Sequence, residues 1–232
     1  MSEWWSYTLS DFLMFSPRTY YRLLERHHAA VWPAHVAALG FGVTSLALLR
    51  RPTPARGRVI SVMLAVLWAW VGWTFLWRRY GTINPAAAYG APAFALEAAL
   101  FLWLGTGPGR PRYEVSRGAA GGLGLALAVV GVALYPALAP LSGRPWRQAE
   151  VFGIAPDPTA IATLGLLVLA SGRLRWELLA VPILWCSVSA ATLWAMGAAE
   201  AIVPALAALL VVASAAMSGR TALALQRPPP EN

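Results

Sequence analysis

The chain contains no lysine; all 18 of its basic residues are arginine. Any cofactor carried on a lysine Schiff base, retinal included, is thereby excluded. Cys186 is the single cysteine, so neither an intrachain disulfide nor a cysteine metal cluster can form. Charge is scarce too, at 12% of residues against about 25% in a soluble domain. HExxH and CxxC spacings are missing, as is any repeat of 20–50 residues. No metal and no cofactor is therefore expected. Residues 1–15 lack the basic start, apolar region and small-residue cleavage site of a secretory leader, so no cleaved signal peptide is expected.

What is present is apolar bulk. Hydrophobic residues make up 58% of the 232. They gather into seven stretches, 29–49, 59–77, 85–104, 118–138, 153–171, 178–196 and 201–217. A helix needs about 20 apolar residues to cross the hydrocarbon core, and only helices or closed barrels satisfy their backbone there. The stretches are solid rather than alternating, which excludes a barrel. The expected fold is all-α: a polytopic transmembrane bundle of about seven spans, with the lipid bilayer as its first partner. The net charge of +8 reads as loop arginines facing headgroups, and no nucleic-acid partner is expected. The use of arginine alone, with abundant alanine and proline, fits a GC-rich bacterial genome.

Orientation follows from the arginines of the short loops. With the N-terminus outside, the inner side holds Arg50, Arg51, Arg56, Arg58, Arg110, Arg112, Arg117, Arg173, Arg175, Arg220 and Arg227. The outer side holds Arg18, Arg22, Arg26, Arg78, Arg79, Arg144 and Arg147. Eleven against seven favours a periplasmic N-terminus and a cytosolic C-terminus in a bacterial inner membrane. Three regions result: an interfacial segment 1–28, a seven-span domain 29–217 and a disordered cytosolic tail 218–232. Within the first, Ser10 is a possible cap for a short turn, Ser16 offers an N-cap, and Pro17 is a favoured first helical residue. Arg18, Arg22 and Arg26 then form a basic stripe on an amphipathic helix, with His27 and His28 at the interface. Trp4 and Trp5 are its expected anchors. In the fourth stretch Gly118 and Gly122 form a GxxxG pair, continued by Ala120, Gly124 and Ala128, a face suited to close helix packing.

Ionisable residues at membrane depth are costly and rare. Glu97 lies inside the third stretch with Tyr89 two turns before it and Asn84 at the outer end. An isolated acid at this depth suits proton coupling or cation binding, or else glues helices together. His35 lies in the outer half of the first stretch as either a packing residue or a ligand, and no second histidine at depth completes a haem pair. Asp157 sits between Pro156 and Pro158. The two prolines should break the fifth span, leaving a partial helix of the kind that lines transporter sites; the alternative is that Asp157 only N-caps a helix begun by Pro158. Trp68, Trp70, Trp73 and Trp77 are read as packing and interfacial residues, with stacking on a quinone or carotenoid the weaker alternative for the deeper ones.

The string Trp5–Phe12 with Phe15-Ser16-Pro17, the segment Ile83-Asn84-Pro85-Ala86-Ala87, and Phe152–Thr159 followed by Thr163-Leu164-Gly165-Leu166-Leu167 resemble an uncharacterised bacterial multi-span family catalogued only as a domain of unknown function. The resemblance covers nearly the whole chain. It implies an integral membrane protein of six or seven spans without an established activity. It also implies a cysteine in many relatives at the position of Asp157, so a soft-metal role has no support here.

Two functions of different class remain. One is a permease or channel-like protein for a small solute or ion, with Glu97 as proton or cation site and Asn84, Tyr89, Asp157 and His35 as further binding candidates. The other is a non-catalytic accessory subunit scaffolding membrane-protein partners in a larger complex. An intramembrane enzyme is disfavoured, because no histidine–serine pair or metal cluster sits at depth.

Overall fold

A computed structural model describes residues 13–171 and 175–225, with side chains through Met217. The anchors Trp4 and Trp5, Ser10, the whole of the Trp5–Phe12 string, Arg173 and residues 226–232 lie outside the described residues. Proline in the first turn starts most of the helices. Ser16, Thr53 and Asn84 cap α1 (Pro17–Ala30), α3 (Pro54–Val71) and α4 (Pro85–Thr106), each side chain accepting from a backbone N–H of the first turn. The proline lacks only a donor that the helix would leave unpaired anyway. α2 is Trp32–Leu48, α5 Ala119–Val129, α6 the short Leu138–Leu141, α7 Pro156–Val168, α8 Trp176–Ala195 and α9 Ile202–Leu225. Each of the seven apolar stretches is thus helical. The boundary drawn at 217 falls inside α9.

Among the described residues, five helices are long and apolar enough to cross a membrane: Pro54–Thr82, Pro85–Thr106, Ala119–Leu141, Trp176–Ala195 and Ala199–Met217. α1 and α2, bent by 89° at Val31, make up to six if the pair counts as one. Two of these helices loosen in mid-course into π-helix, at Gly72–Trp77 and Val130–Leu134. α7 is different. Its 13 residues rise only about 20 Å, short of the roughly 30 Å hydrocarbon core. Every residue from Pro156 to Leu167 is buried, against α3, α5, α8 and α9.

A helix enclosed on all sides needs neighbours that come close, and the α5 segment supplies them through Gly124 and Ala128 of the small-residue set the sequence suggests, but not through its Gly118–Gly122 pair. Gly118 (φ +126) is the residue before α5, in a conformation that favours glycine, and Gly122 faces open space. The seam instead runs through Gly124, Ala128 and Gly131 against Pro158, Ala162 and Gly165 of α7. A Cβ on Gly165 would lie 2.3 Å from the Ala128 backbone nitrogen, and one on Gly131 2.6 Å from the Pro158 carbonyl oxygen. Backbone cannot yield as a side chain can, so the spacing of the two axes rests on these missing methyls.

Polar ties fix the remaining helices around this centre. Trp68 of α3 is fully buried; its indole N–H donates to Thr163 Oγ1 of α7 at 3.0 Å, and its ring lies 4.3 Å from that of Phe94. Trp70, Trp73 and Trp77 face outward instead. β1 (Arg112–Tyr113) and β2 (Ala170–Ser171) form a two-residue antiparallel ladder that ties the α4–α5 loop to the end of α7. It seats the buried Tyr113 hydroxyl 3.0 Å from Ser61 Oγ.

Gly165→Ala should lower the stability of the detergent-solubilised protein by roughly 1–3 kcal/mol through overpacking. Gly122→Ala, with nothing within 4 Å of the added carbon, should leave it unchanged. Thermal unfolding of the two variants measures this, and an undisturbed Gly165→Ala protein would refute the close-packed seam.

Candidate functional site

The chain turns sharply before α7. Gly153 adopts φ +70, and a Cβ there would press against Leu67 and Ala38 at 2.7 and 2.8 Å. Its N–H donates to Thr159 Oγ1 at 2.8 Å, while that hydroxyl donates to the Ala155 carbonyl at 2.7 Å. The turn is closed by a residue of the helix it precedes. α7 then begins at Pro156 rather than running straight through from Phe152, as the flanking prolines imply. Asp157 does not cap it, however. Ala155 occupies the N-cap without a side-chain bond, and Asp157 lies inside the first turn.

The carboxylate of Asp157 turns away from its own helix into the bundle. Trp185 Nε1 donates to Oδ1 at 2.8 Å, and the hydroxyls of Tyr135 and Ser189 donate to Oδ2. One acid thereby joins the segment after α5, α7 and α8, with a further favourable term from the helix N-terminus beside it. Near it lie two acids that sequence reasoning passed over. Glu150 is buried and accepts from Tyr20 Oη at 3.2 Å through Oε1, but its Oε2 has no partner. Burial pushes the Glu150 carboxyl well above the usual carboxylate range, and the charge of Asp157 pushes it further the same way. Glu200 accepts from Tyr21 and Ser142 and pairs with Arg144, whose guanidinium carbon lies 4.0 Å above the Tyr21 ring. The readable signal was positional: Glu150 and Glu200 stand just before the fifth and seventh apolar stretches, on the side of Arg144.

Three carboxyl groups are therefore buried in this region, and the guanidinium of Arg144 is bonded to one of them, Glu200. Asp157 accepts three hydrogen bonds, Glu200 is ion-paired, and Glu150 accepts one hydrogen bond.

The five residues singled out from sequence do not form one constellation. Asn84 and Tyr89 line a crevice of about 260 Å³ between α4 and α8. Trp185 and Ser189, two of the donors to Asp157, line the same space, so Asp157 sits just behind its wall. Tyr89 itself is 82% exposed. Glu97 lies elsewhere, eight residues or about 12 Å along the helix from Tyr89. It points inward with Phe94, Ala98 and Phe101 and is 0% exposed. Neither of its oxygens has a hydrogen-bond partner among the described residues.

His35 Nδ1 bonds the Trp32 carbonyl at 3.0 Å, and its ring packs 5.0 Å from that of His28. His27, expected at the interface, is instead fully buried, edge-on to Phe75 at 5.2 Å. The bend at Val31 turns that face of α1 inward. Among the described residues, no group of three or more histidine, cysteine or acidic side chains is arranged to hold a metal ion.

An all-α bundle with at least five helices of membrane-crossing length and composition among its described residues, and with Glu97, Glu150, Asp157 and Glu200 buried, is a membrane protein. The chain matches the Family of unknown function (DUF6064) over residues 18–224 and belongs to that family. Comparison with curated proteins and with solved structures returned no significant match.

Asp157→Ala separates an internal tie from a helix cap. Loss of a cap alone would cost about 0.5–2 kcal/mol. Here three donors lose their acceptor, and each buried one left unpaired costs about 1–3 kcal/mol. A loss of at least about 3 kcal/mol is therefore expected in thermal or denaturant unfolding. A loss within the cap range would contradict the network.

Proposed function

We propose that this protein is a proton-coupled permease or channel-like protein for a small solute or ion, with Glu97 as the protonatable site. The observation that carries this reading is the bare carboxyl of Glu97, enclosed on α4 with no partner for either oxygen. An ionised carboxylate would stand there as an uncompensated charge in a low-dielectric interior. Such a group holds a proton or a bound cation, and exchanging it is the elementary step of coupling. Buried polar groups left unsatisfied also call for an explanation beyond packing.

The rest of the molecule takes roles consistent with this. α2, α3, α4, α5, α8 and α9 cross the bilayer, and α7 with the turn before it forms a seventh, partial crossing whose broken start supports the path. Asn84 and Tyr89 flank a lateral vestibule, backed by the Asp157 network. His35 helps to pack the bend between α1 and α2, and α1 lies as an amphipathic helix in the interface. The protein resides in a bacterial inner membrane, N-terminus periplasmic and C-terminus cytosolic, and acts without enzymatic chemistry or a cofactor. A second reading, the accessory subunit, draws support from the outward Trp103 and Trp194, 75% and 73% exposed, which would suit helices of a partner as well as lipid.

In proteoliposomes carrying an internal pH dye, an imposed potential should drive proton entry through the wild-type protein. Glu97→Gln, which keeps shape but cannot ionise, should abolish it while insertion and unfolding temperature stay unchanged. Equal proton entry through the variant removes Glu97 from the role. Silence of both proteins, with stoichiometric partners in a mild-detergent pull-down, favours the subunit instead. A phosphatase fusion at Asn232 should be inactive, because the C-terminus is cytosolic; activity there would invert the topology.

A further inference from the structure

We propose that Arg18, Arg22 and Arg26 of α1, together with Arg78 and Arg79 at the end of the α3 span, form a binding site for a phosphate group. The five guanidiniums line one cavity of about 630 Å³, with Leu23 among its apolar walls. Three come from a single face of α1, where four-residue spacing stacks them one turn apart. The other two come from the turn that ends the Pro54–Thr82 helix. Two elements distant in sequence thus bring their positive charge to one concavity.

That convergence is unfavourable on its own. Like charges at this spacing on a helix repel, and a second pair facing them adds to the effect. Among the described residues no carboxylate lines the cavity, and Arg144–Glu200 is the one ion pair. An anion that enters relieves the repulsion. Guanidinium is the matching donor for phosphate, since its planar fork bonds two oxygens at once and it keeps its charge at any physiological pH. Polar groups of Thr19 and Thr82 stand at the same rim.

The position narrows the sources. The cavity lies beside the exposed Trp77 at the end of a membrane-length helix, the depth at which interfacial tryptophans and phospholipid headgroups meet. A lipid phosphate can therefore reach it from the bilayer, and a free phosphate from solution. The chemistry is the same for both. The site also explains why five of the seven arginines assigned to the outer side oppose the positive-inside pattern: they serve a ligand rather than topology. It does not depend on Glu97, so its failure would leave that reading intact.

The test uses the full-length protein in detergent, with native mass spectrometry to count bound phosphatidylglycerol against phosphatidylcholine, and calorimetry with inorganic phosphate. Wild-type protein should retain the anionic lipid in preference to the zwitterionic one, or bind inorganic phosphate directly. Competition separates the sources: displacement of lipid by inorganic phosphate identifies a free-phosphate site, and retention of lipid identifies a headgroup site. The double variant Arg22→Gln with Arg78→Gln should weaken whichever ligand binds by roughly tenfold or more, while Arg51→Gln with Arg58→Gln should not. The double lysine variant Arg22→Lys with Arg78→Lys preserves net charge and insertion but removes the fork, and should lose affinity several-fold. Absence of both ligands from the wild type, or a lysine variant equal to wild type, would overturn the proposal.

Discussion

The structure depends on one constraint, the enclosure of α7. A helix of 13 residues buried on every side has no lipid-facing stripe and no solvent-facing one. Each neighbour must therefore fit it closely. The fit is achieved by removing side chains rather than adding them: Gly124 on α5, Gly131 in the π-helical turn that follows it and Gly165 on α7 let two backbones meet where a methyl group would collide with main-chain atoms. In lipid the hydrophobic effect gives helices no reason to associate, so contact distance and polar ties must hold them. Trp68–Thr163 binds α7 to α3, and Asp157 binds it to α8 and to the end of the α5 span.

The same enclosure sorts the charges. Acids in the interior have to be answered by donors, by a cation or by protonation, because bare ions in a low-dielectric medium are costly. The molecule uses different answers at different places. Asp157 is given three donors, Glu200 an arginine, Glu150 a single tyrosine, and Glu97 none. Compensation thus runs from three donors at Asp157 to none among the described residues at Glu97. At the surface, the arginine cavity between α1 and the end of the α3 span shows the opposite imbalance, five arginines and no acid among its described lining residues.

The helical class and the seven apolar segments were legible because bilayer thickness imposes a length on the sequence itself. Helix starts were legible as well, since Ser16-Pro17 and Asn84-Pro85 carry their capping chemistry within two residues. The inward face of Glu97 and the broken start of α7 followed from local rules. The glycine seam followed only in part: Gly124 and Ala128 belong to it, but the Gly118–Gly122 pair does not, because which small residues are pressed depends on the rotation of α5 about its axis. That rotation is set by α7.

The sequence by itself determined how much of this chain is helical, where its helices begin and which residues are too polar to be comfortable inside. Tertiary structure alone decided which of those polar residues are answered. Asp157 reads as a helix cap until Tyr135, Trp185 and Ser189 converge on it, and Glu150 and Glu200 read as loop acids until α1 and Arg144 close over them. Arg18 and Arg78 are 60 positions apart in the chain and share a cavity only because α1 folds back at Val31. Local propensity acts over one helical turn, whereas compensation of a buried charge acts across helices, and only the packed bundle brings those partners within bonding distance.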